Sequence, residues 1–235
     1  MNITVNEYTA KIVNSCGVIG NILIPRAIIY ESQEFLVTII GYRSFMSNKD
    51  IKSILFEEDS ELNIIEKDAF YYSSIESITL PKHVKIIGEW AFKQCYKLKT
   101  FEIPENSELY SIETEVFSSS AVKSIFIPCH ITTIVENVFG YSSLSTITFS
   151  EKSELTSIKK SAFTNTNIQN ISIPAHVKEI DDYAFYGCKS LQIINFSENS
   201  ELTYIGKHAF EDTAINDLFI PSNVEEIKEC FCNSN

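Results

Sequence analysis

The sequence predicts a solenoid of about nine stacked coils of 22–25 residues, with a parallel β-sheet on one face, short strands and turns on the other, and an N-terminal cap with an inserted hairpin. Three observations predict it. A phenylalanine recurs at Phe45, Phe70, Phe92, Phe117, Phe139, Phe163, Phe185 and Phe210, in steps of 25, 22, 25, 22, 24, 22 and 25, each preceded five residues earlier by isoleucine. A skeleton of alternating apolar residues comes before each box, as in Ile75-x-x-Ile78-x-Leu80 and Ile168-x-x-Ile171-x-Ile173. Two kinds of turn alternate between skeleton and box, so the repeating unit is a pair of coils.

Alternation of β-branched residues reads as a strand, and proline directly after it stops the strand. One such strand buries too little to stand alone, whereas stacked copies bury a continuous apolar face. The shorter coils turn through Pro81-Lys-His-Val84, Pro128-Cys-His-Ile131, Pro174-Ala-His-Val177 and Pro221-Ser-Asn-Val224. The longer coils turn through Glu58-Asp-Ser-Glu-Leu62, Glu105-Asn-Ser-Glu-Leu109, Glu151-Lys-Ser-Glu-Leu155 and Glu198-Asn-Ser-Glu-Leu202. A ninth box, Ile227 to Phe231, is one residue short, and FCNSN supplies no C-terminal cap. Residues 24–40 read as two extended segments around Glu31-Ser-Gln-Glu34, a hairpin inserted in the first coil, and residues 1–18 as a cap over it. The expected division is therefore 1–45, cap and first coil with its hairpin, and 46–235, a single continuous repeat domain.

The Leu-x-x-Leu-x-Leu skeleton resembles the leucine-rich repeats. Its continuation, Ile-Pro-x-x-Val-x-x-Ile-x-x-x-Ala-Phe-x-x-Cys, fullest at residues 168–188, is similar to their BspA-like subclass over about residues 19–232. The resemblance implies a non-enzymatic protein–protein interaction module of the surface-antigen and cell-adhesion type. It also implies a cell-surface or secreted location and a host matrix or cell-surface protein as partner. The alternative is an intracellular scaffold or regulatory repeat protein in the cytoplasm, since MNITVNEYTAKIVNS shows no basic region followed by an apolar core and no signal peptide is readable.

With 31 acidic against 19 basic residues the net charge is −12, which disfavours nucleic acid and anionic membranes. No apolar run approaches a membrane span, so direct membrane insertion is not expected. The seven glycines form no G-x-G arrangement, and no cofactor is expected.

Three rows of chemistry-bearing residues read as scaffold. Asn48, Ser73, Cys95, Ser120, Ser142, Thr166, Cys188 and Thr213 lie three residues past each Phe and read as an inward ladder satisfying backbone groups. Cys95 and Cys188 are four coils apart, roughly 19 Å at about 4.8 Å per coil, beyond disulfide reach. Cys129 sits in a turn, and Cys16, Cys230 and Cys232 lie at the ends, a set that suits a reducing compartment. His83, His130 and His176, with Asn223 completing the row, recur on alternate coils about 10 Å apart. That is too far for shared zinc ligation, so they read as turn-stabilising acceptors. Glu58, Glu105, Glu151 and Glu198, with Glu61, Glu108, Glu154 and Glu201 beside them, read as a solvated edge rather than a calcium site. No catalytic or metal-binding residues are assigned. Trp90 and Tyr183, on the side opposite the sheet, read as exposed packing aromatics.

The candidate binding residues are those that break the polar, small-residue pattern of the outward strand positions. Phe126, Ile193 and Phe219 place apolar side chains where the pleat points to solvent, and Lys99 and Lys123 add local positive charge beside Phe126. Flat repeat faces with aromatic anchors suit protein binding. The open ends of the stack offer a further route, self-association through unpaired strand edges.

Overall fold

The computed structural model describes residues 1–229 except Glu7 and Cys16. It is a β-solenoid, without helix among the described residues. Cys230, Cys232, the close of the ninth box and the FCNSN terminus lie outside the described residues, as does Cys16.

Coils one to eight each contribute one strand to a broad face and one to a second row, the latter two residues long in every coil but the first. The broad-face strands are Gly20–Ile24, Ile51–Phe56, Ser77–Thr79, Thr100–Glu102, Ser124–Ile127, Thr146–Phe149, Asn170–Ile173 and Ile193–Phe196, defining coils one to eight. Alternation places Ile54, Ile78, Phe101, Ile125, Ile147, Ile171 and Ile194 inward, all buried. The isoleucine that opens the box, such as Ile65, Ile87 or Ile134, lies on the second row and is buried in coils one to eight, whereas Ile227 on the last described coil is 47% exposed.

Between these two layers runs the spine that the sequence marks most strongly. The eight box phenylalanines are fully buried and stack ring on ring from Phe45 to Phe210. Successive centroids lie 4.9 Å apart at Phe45–Phe70 and Phe70–Phe92, and 5.8 Å apart at Phe92–Phe117. Aromatic rings in near-parallel contact add to the large apolar area each buries.

At the N-terminus, Thr9–Asn14 pairs antiparallel with Asn2–Asn6 and parallel with Gln33–Ile40, so the cap begins the second strand row. Ala27–Tyr30 and Gln33–Ile40 form the inserted hairpin. Its two-residue turn, Glu31-Ser32, has φ of 49° and 64°, the twist that suits a tight hairpin.

Two expectations change. The broad face is not one continuous sheet. A four-stranded piece spans coils one to four, followed by two isolated pairs, Ser124–Ile127 with Thr146–Phe149 and Asn170–Ile173 with Ile193–Phe196. From the fifth coil on, a strand followed by a Pro-turn pairs with the next strand, which is followed by an acidic turn, and the ladder then breaks. Residues 215–220, expected as a ninth strand, carry no regular pairing.

The box adds a feature that the sequence does not mark. Each chain reversal is bracketed by two residues in the left-handed region, two before and two after the Phe. Trp90 (φ 60°) and Gln94 (φ 57°) bracket Phe92, and Glu115 (φ 55°) and Ser119 (φ 56°) bracket Phe117. The later position holds glycine only at Gly187. L-residues there cost about 1–2 kcal/mol each, partly offset by the greater unfolded-chain entropy of glycine. Ser119→Gly is therefore expected to raise stability by about 0.5–1 kcal/mol and Tm by about 1–4 °C in a thermal melt. A lowered Tm would contradict the strain.

Candidate functional site

The broad face is where side chains differ from coil to coil. Its central outward row runs Leu23, Leu55, Thr79, Glu102, Phe126, Thr148, Ser172, Asn195 and Phe219. Much of it is polar and laterally bonded: Thr79 Oγ1 donates to Glu102 Oε2 at 2.7 Å, and Asn195 Nδ2 to Ser172 Oγ at 3.4 Å.

The candidate residues fall in two places. Lys99 and Lys123 are exposed at the starts of neighbouring coils, and Lys123 directly precedes the strand Ser124–Ile127 that carries Phe126. Phe126 is outward but half-buried rather than fully exposed. It lies directly across from Thr148, with coils on both sides of it. Ile193 is 49% exposed and Phe219, on the last described coil and outside any ladder, is 82% exposed. Phe126 and Phe219 are four coils apart, roughly 19 Å, so they form separate contact points.

Two further apolar residues belong to this row. Leu23 and Leu55 are register partners on the first two strands, 56% and 54% exposed. The skeleton Ile51-x-x-Ile54-x-Phe56 continues the repeat one unit upstream of Ile75, and alternation applied to it marks Leu55 as outward.

Two grooves open beside the row at equivalent places in the repeat. One, of about 430 Å³, is lined by Leu55, Phe56, Leu80, Pro81, Lys82 and Pro104. The other, of about 640 Å³, is lined by residues including Thr148, Phe149, Ser172, Pro174 and His176. Leu55 corresponds to Thr148, Phe56 to Phe149 and Pro81 to Pro174, so the two grooves share a mixed lining and differ in carrying leucine or threonine at the outward position.

The rows read as scaffold take definite partners. Cys95 Sγ donates to Phe70 O and Cys188 Sγ to Phe163 O, each at 3.0 Å. Thr213 Oγ1 donates to Phe210 O at 2.8 Å, while buried Ser120 Oγ has no partner among the described residues. Burial pushes the Cys95 thiol up to about 12 and that of Cys188 up to about 11. Cys95 is thus thiolate to only about one part in ten thousand at pH 8. Iodoacetamide is expected to label half-buried Cys129 in the native chain and to reach Cys95 and Cys188 only in denaturant, read by peptide mass spectrometry. Native labelling of Cys95 would contradict the ladder.

The histidines do more than accept within their own turns. His83 Nδ1 lies 2.8 Å from Glu108 Oε1, and His176 Nδ1 2.8 Å from Glu201 Oε1. His130 and Glu154 stand 4.0 Å apart. Each pair joins a Pro-turn to the following acidic turn. The His83 hydrogen bond is the main cause holding the Glu108 carboxyl below its ordinary range. Asn223 Nδ2 donates instead to Ser200 O. The serine of each acidic turn is buried, and its Oγ accepts from the leucine N–H two residues on, as Ser107 does from Leu109 at 3.1 Å. Among the described residues no group of three His, Cys, Asp or Glu could hold a metal ion.

Trp90 and Tyr183 are half-buried rather than exposed. Lys67 and Lys93 ammoniums lie 4.5 and 4.9 Å from the Trp90 ring centre, and its Nε1 donates to Glu115. Tyr183 packs edge-on to Tyr186 and 5.0 Å from the His208 ring. The Lys67, Glu115 and His208 contacts link neighbouring coils on the side away from the sheet.

The coil, its inward ladder and its paired strands define a leucine-rich repeat solenoid. The chain belongs to the BspA-type leucine-rich repeat family, whose model matches residues 14–144 and 110–235 in six copies. Among solved structures, a leucine-rich repeat protein from Bacteroides ovatus is similar over 97% of this chain at 25% identity with a TM-score of 0.80. The chain spans 59% of that protein's length. A leucine-rich cell surface protein from Faecalibacterium prausnitzii (22% identity, TM-score 0.66) is matched over 94% of this chain and 75% of its own. The pneumococcal vaccine antigen PcpA (22%, 0.61) is matched over 94% and 68%. The curated proteins contain no significant match.

Proposed function

We propose that this chain is a non-enzymatic protein-binding module that works at a cell surface, with its broad strand face as the contact surface and a host matrix or cell-surface protein as partner. The observation that carries this reading is the placing of large apolar side chains outward on the broad face. Leu23 and Leu55 stand side by side, and Ile193 and Phe219 recur further along. A fixed backbone leaves little ordering entropy to oppose binding, and exposed apolar anchors supply contact area. The half-buried Phe126, with Lys99 and Lys123, offers a second contact of mixed character. Description of the Faecalibacterium prausnitzii structure as a cell surface protein, and of PcpA as a vaccine antigen, supports the location.

The test is binding of the purified chain to an immobilised extracellular-matrix preparation. Leu55→Ser, Phe126→Ala and Phe219→Ala are compared with Tyr141→Ser, an exposed tyrosine in a box turn. At least one face variant is expected to weaken binding about tenfold or more, with Tyr141→Ser unchanged. Equal affinity in all three face variants would remove the broad face as the contact surface.

A further inference from the structure

We propose that the junction between the fourth and fifth coils is a hinge, dividing the solenoid into two bodies that each carry one of the two equivalent grooves. Four observations meet there. First, the broad-face ladder breaks between Thr100–Glu102 and Ser124–Ile127. Second, the other strand row breaks at the same level, between Ser111–Ile112 and Thr133–Ile134. At the break between coils six and seven this second row runs on, with Ser157–Ile158 paired to Glu179–Ile180.

Third, no ion pair among the described residues crosses the junction. Lys67–Glu89 joins coils two and three, His83–Glu108 and Lys93–Glu115 join three and four, and His130–Glu154 joins five and six. Lys159–Glu179 then joins six and seven, and His176–Glu201 joins seven and eight. Fourth, the facing second-row surfaces leave a crevice too narrow for water, lined by Ile112, Ile131, Thr133, Val135, Val138 and Phe139.

The sequence supplies a local cause. Val135 occupies the position after the box isoleucine, where Glu66, Gly88, Glu113, Lys159, Asp181 and Gly206 stand in other coils.

What crosses the junction is the phenylalanine stack, Phe117 on Phe139, and backbone bonds at the box. These are Glu115 N to Glu136 O (3.4 Å), Phe117 N to Val138 O and Ser119 N to Gly140 O (both 2.9 Å), and Ser143 N to Ser120 O (3.0 Å). A connection along one line, with both strand rows unlinked, permits bending about that line. Nearest-neighbour terms set cooperativity in a solenoid, so the weakest interface is where it divides. The Leu55 groove lies in coils two to four and the Thr148 groove in coils six to eight, so bending would change their separation. The hinge stands on coil contacts alone, and only its use in binding rests on the proposed function.

Peptide-resolved hydrogen exchange on the free chain in mild urea tests the hinge without a partner. Coils two to four and coils five to eight are expected to exchange as two blocks differing about tenfold or more in protection, with the step between residues 113 and 135. Thr114→Lys would place an ammonium opposite Glu136, at the coil position where Lys67 meets Glu89 and Lys207 meets Glu229. It is expected to raise protection across 124–134 while leaving coils two and three unchanged. A single exchange block, or a smooth gradient from the ends with no step at this junction, would overturn the hinge.

Discussion

Phe92→Ala is expected to lower the stability of the chain by about 3–5 kcal/mol, the range for deleting a buried aromatic ring. Phe92 is fully buried and touches three rings, Phe70 and Phe117 in the stack and Phe101 edge-on. A fixed backbone above and below it gives the cavity little means to collapse, which favours the upper part of the range. Urea denaturation followed by far-UV circular dichroism reads the loss. Against a typical total of about 5–15 kcal/mol, such a variant is near the limit of folding. A loss under about 1 kcal/mol would mean that the stack carries little of the solenoid's stability.

Ile171→Asp is expected to be as severe or worse, at about 4 kcal/mol or more. Ile171 is 2% exposed, between the pleat of the broad face and the phenylalanine spine, and a carboxylate there would find no cation. The informative comparison is its neighbour. Ser172 is exposed, so Ser172→Asp is expected to melt within about 0.5 kcal/mol of the unaltered chain. Wild-type melting of Ile171→Asp, or collapse of Ser172→Asp, would show that the strand is turned the other way.

These two experiments probe what was most legible. Buried Ile and Phe at fixed spacing report the coil directly, because burial depends on side-chain chemistry and the pleat fixes which residues share a face. The left-handed residues were hidden because the chain does not mark them: Trp90, Glu115, Tyr141 and Asp212 stand where glycine would have signalled the conformation. The His83–Glu108 and His176–Glu201 pairs were hidden by a sequence separation of 25 residues, although the period itself brings those turns together. The breaks in the broad face were hidden because coils one to four carry the same alternating turns and yet stay paired, so neither strand nor turn letters mark where the ladder stops. Phe126 and Phe219 share a parity and differ in exposure because one has coils on both sides and the other lies on the last described coil. Alternation assigns a direction, and neighbours decide how far that direction is covered.

The most direct test of the broad face as the contact surface is a hydrogen-exchange footprint of the chain with and without a saturating matrix component captured by it. Slowed exchange is expected in 51–56, 77–82 and 193–197, with the box turns at 88–97 and 136–143 unchanged. Slowed exchange confined to those box turns, with the broad-face strands unaffected, would contradict it.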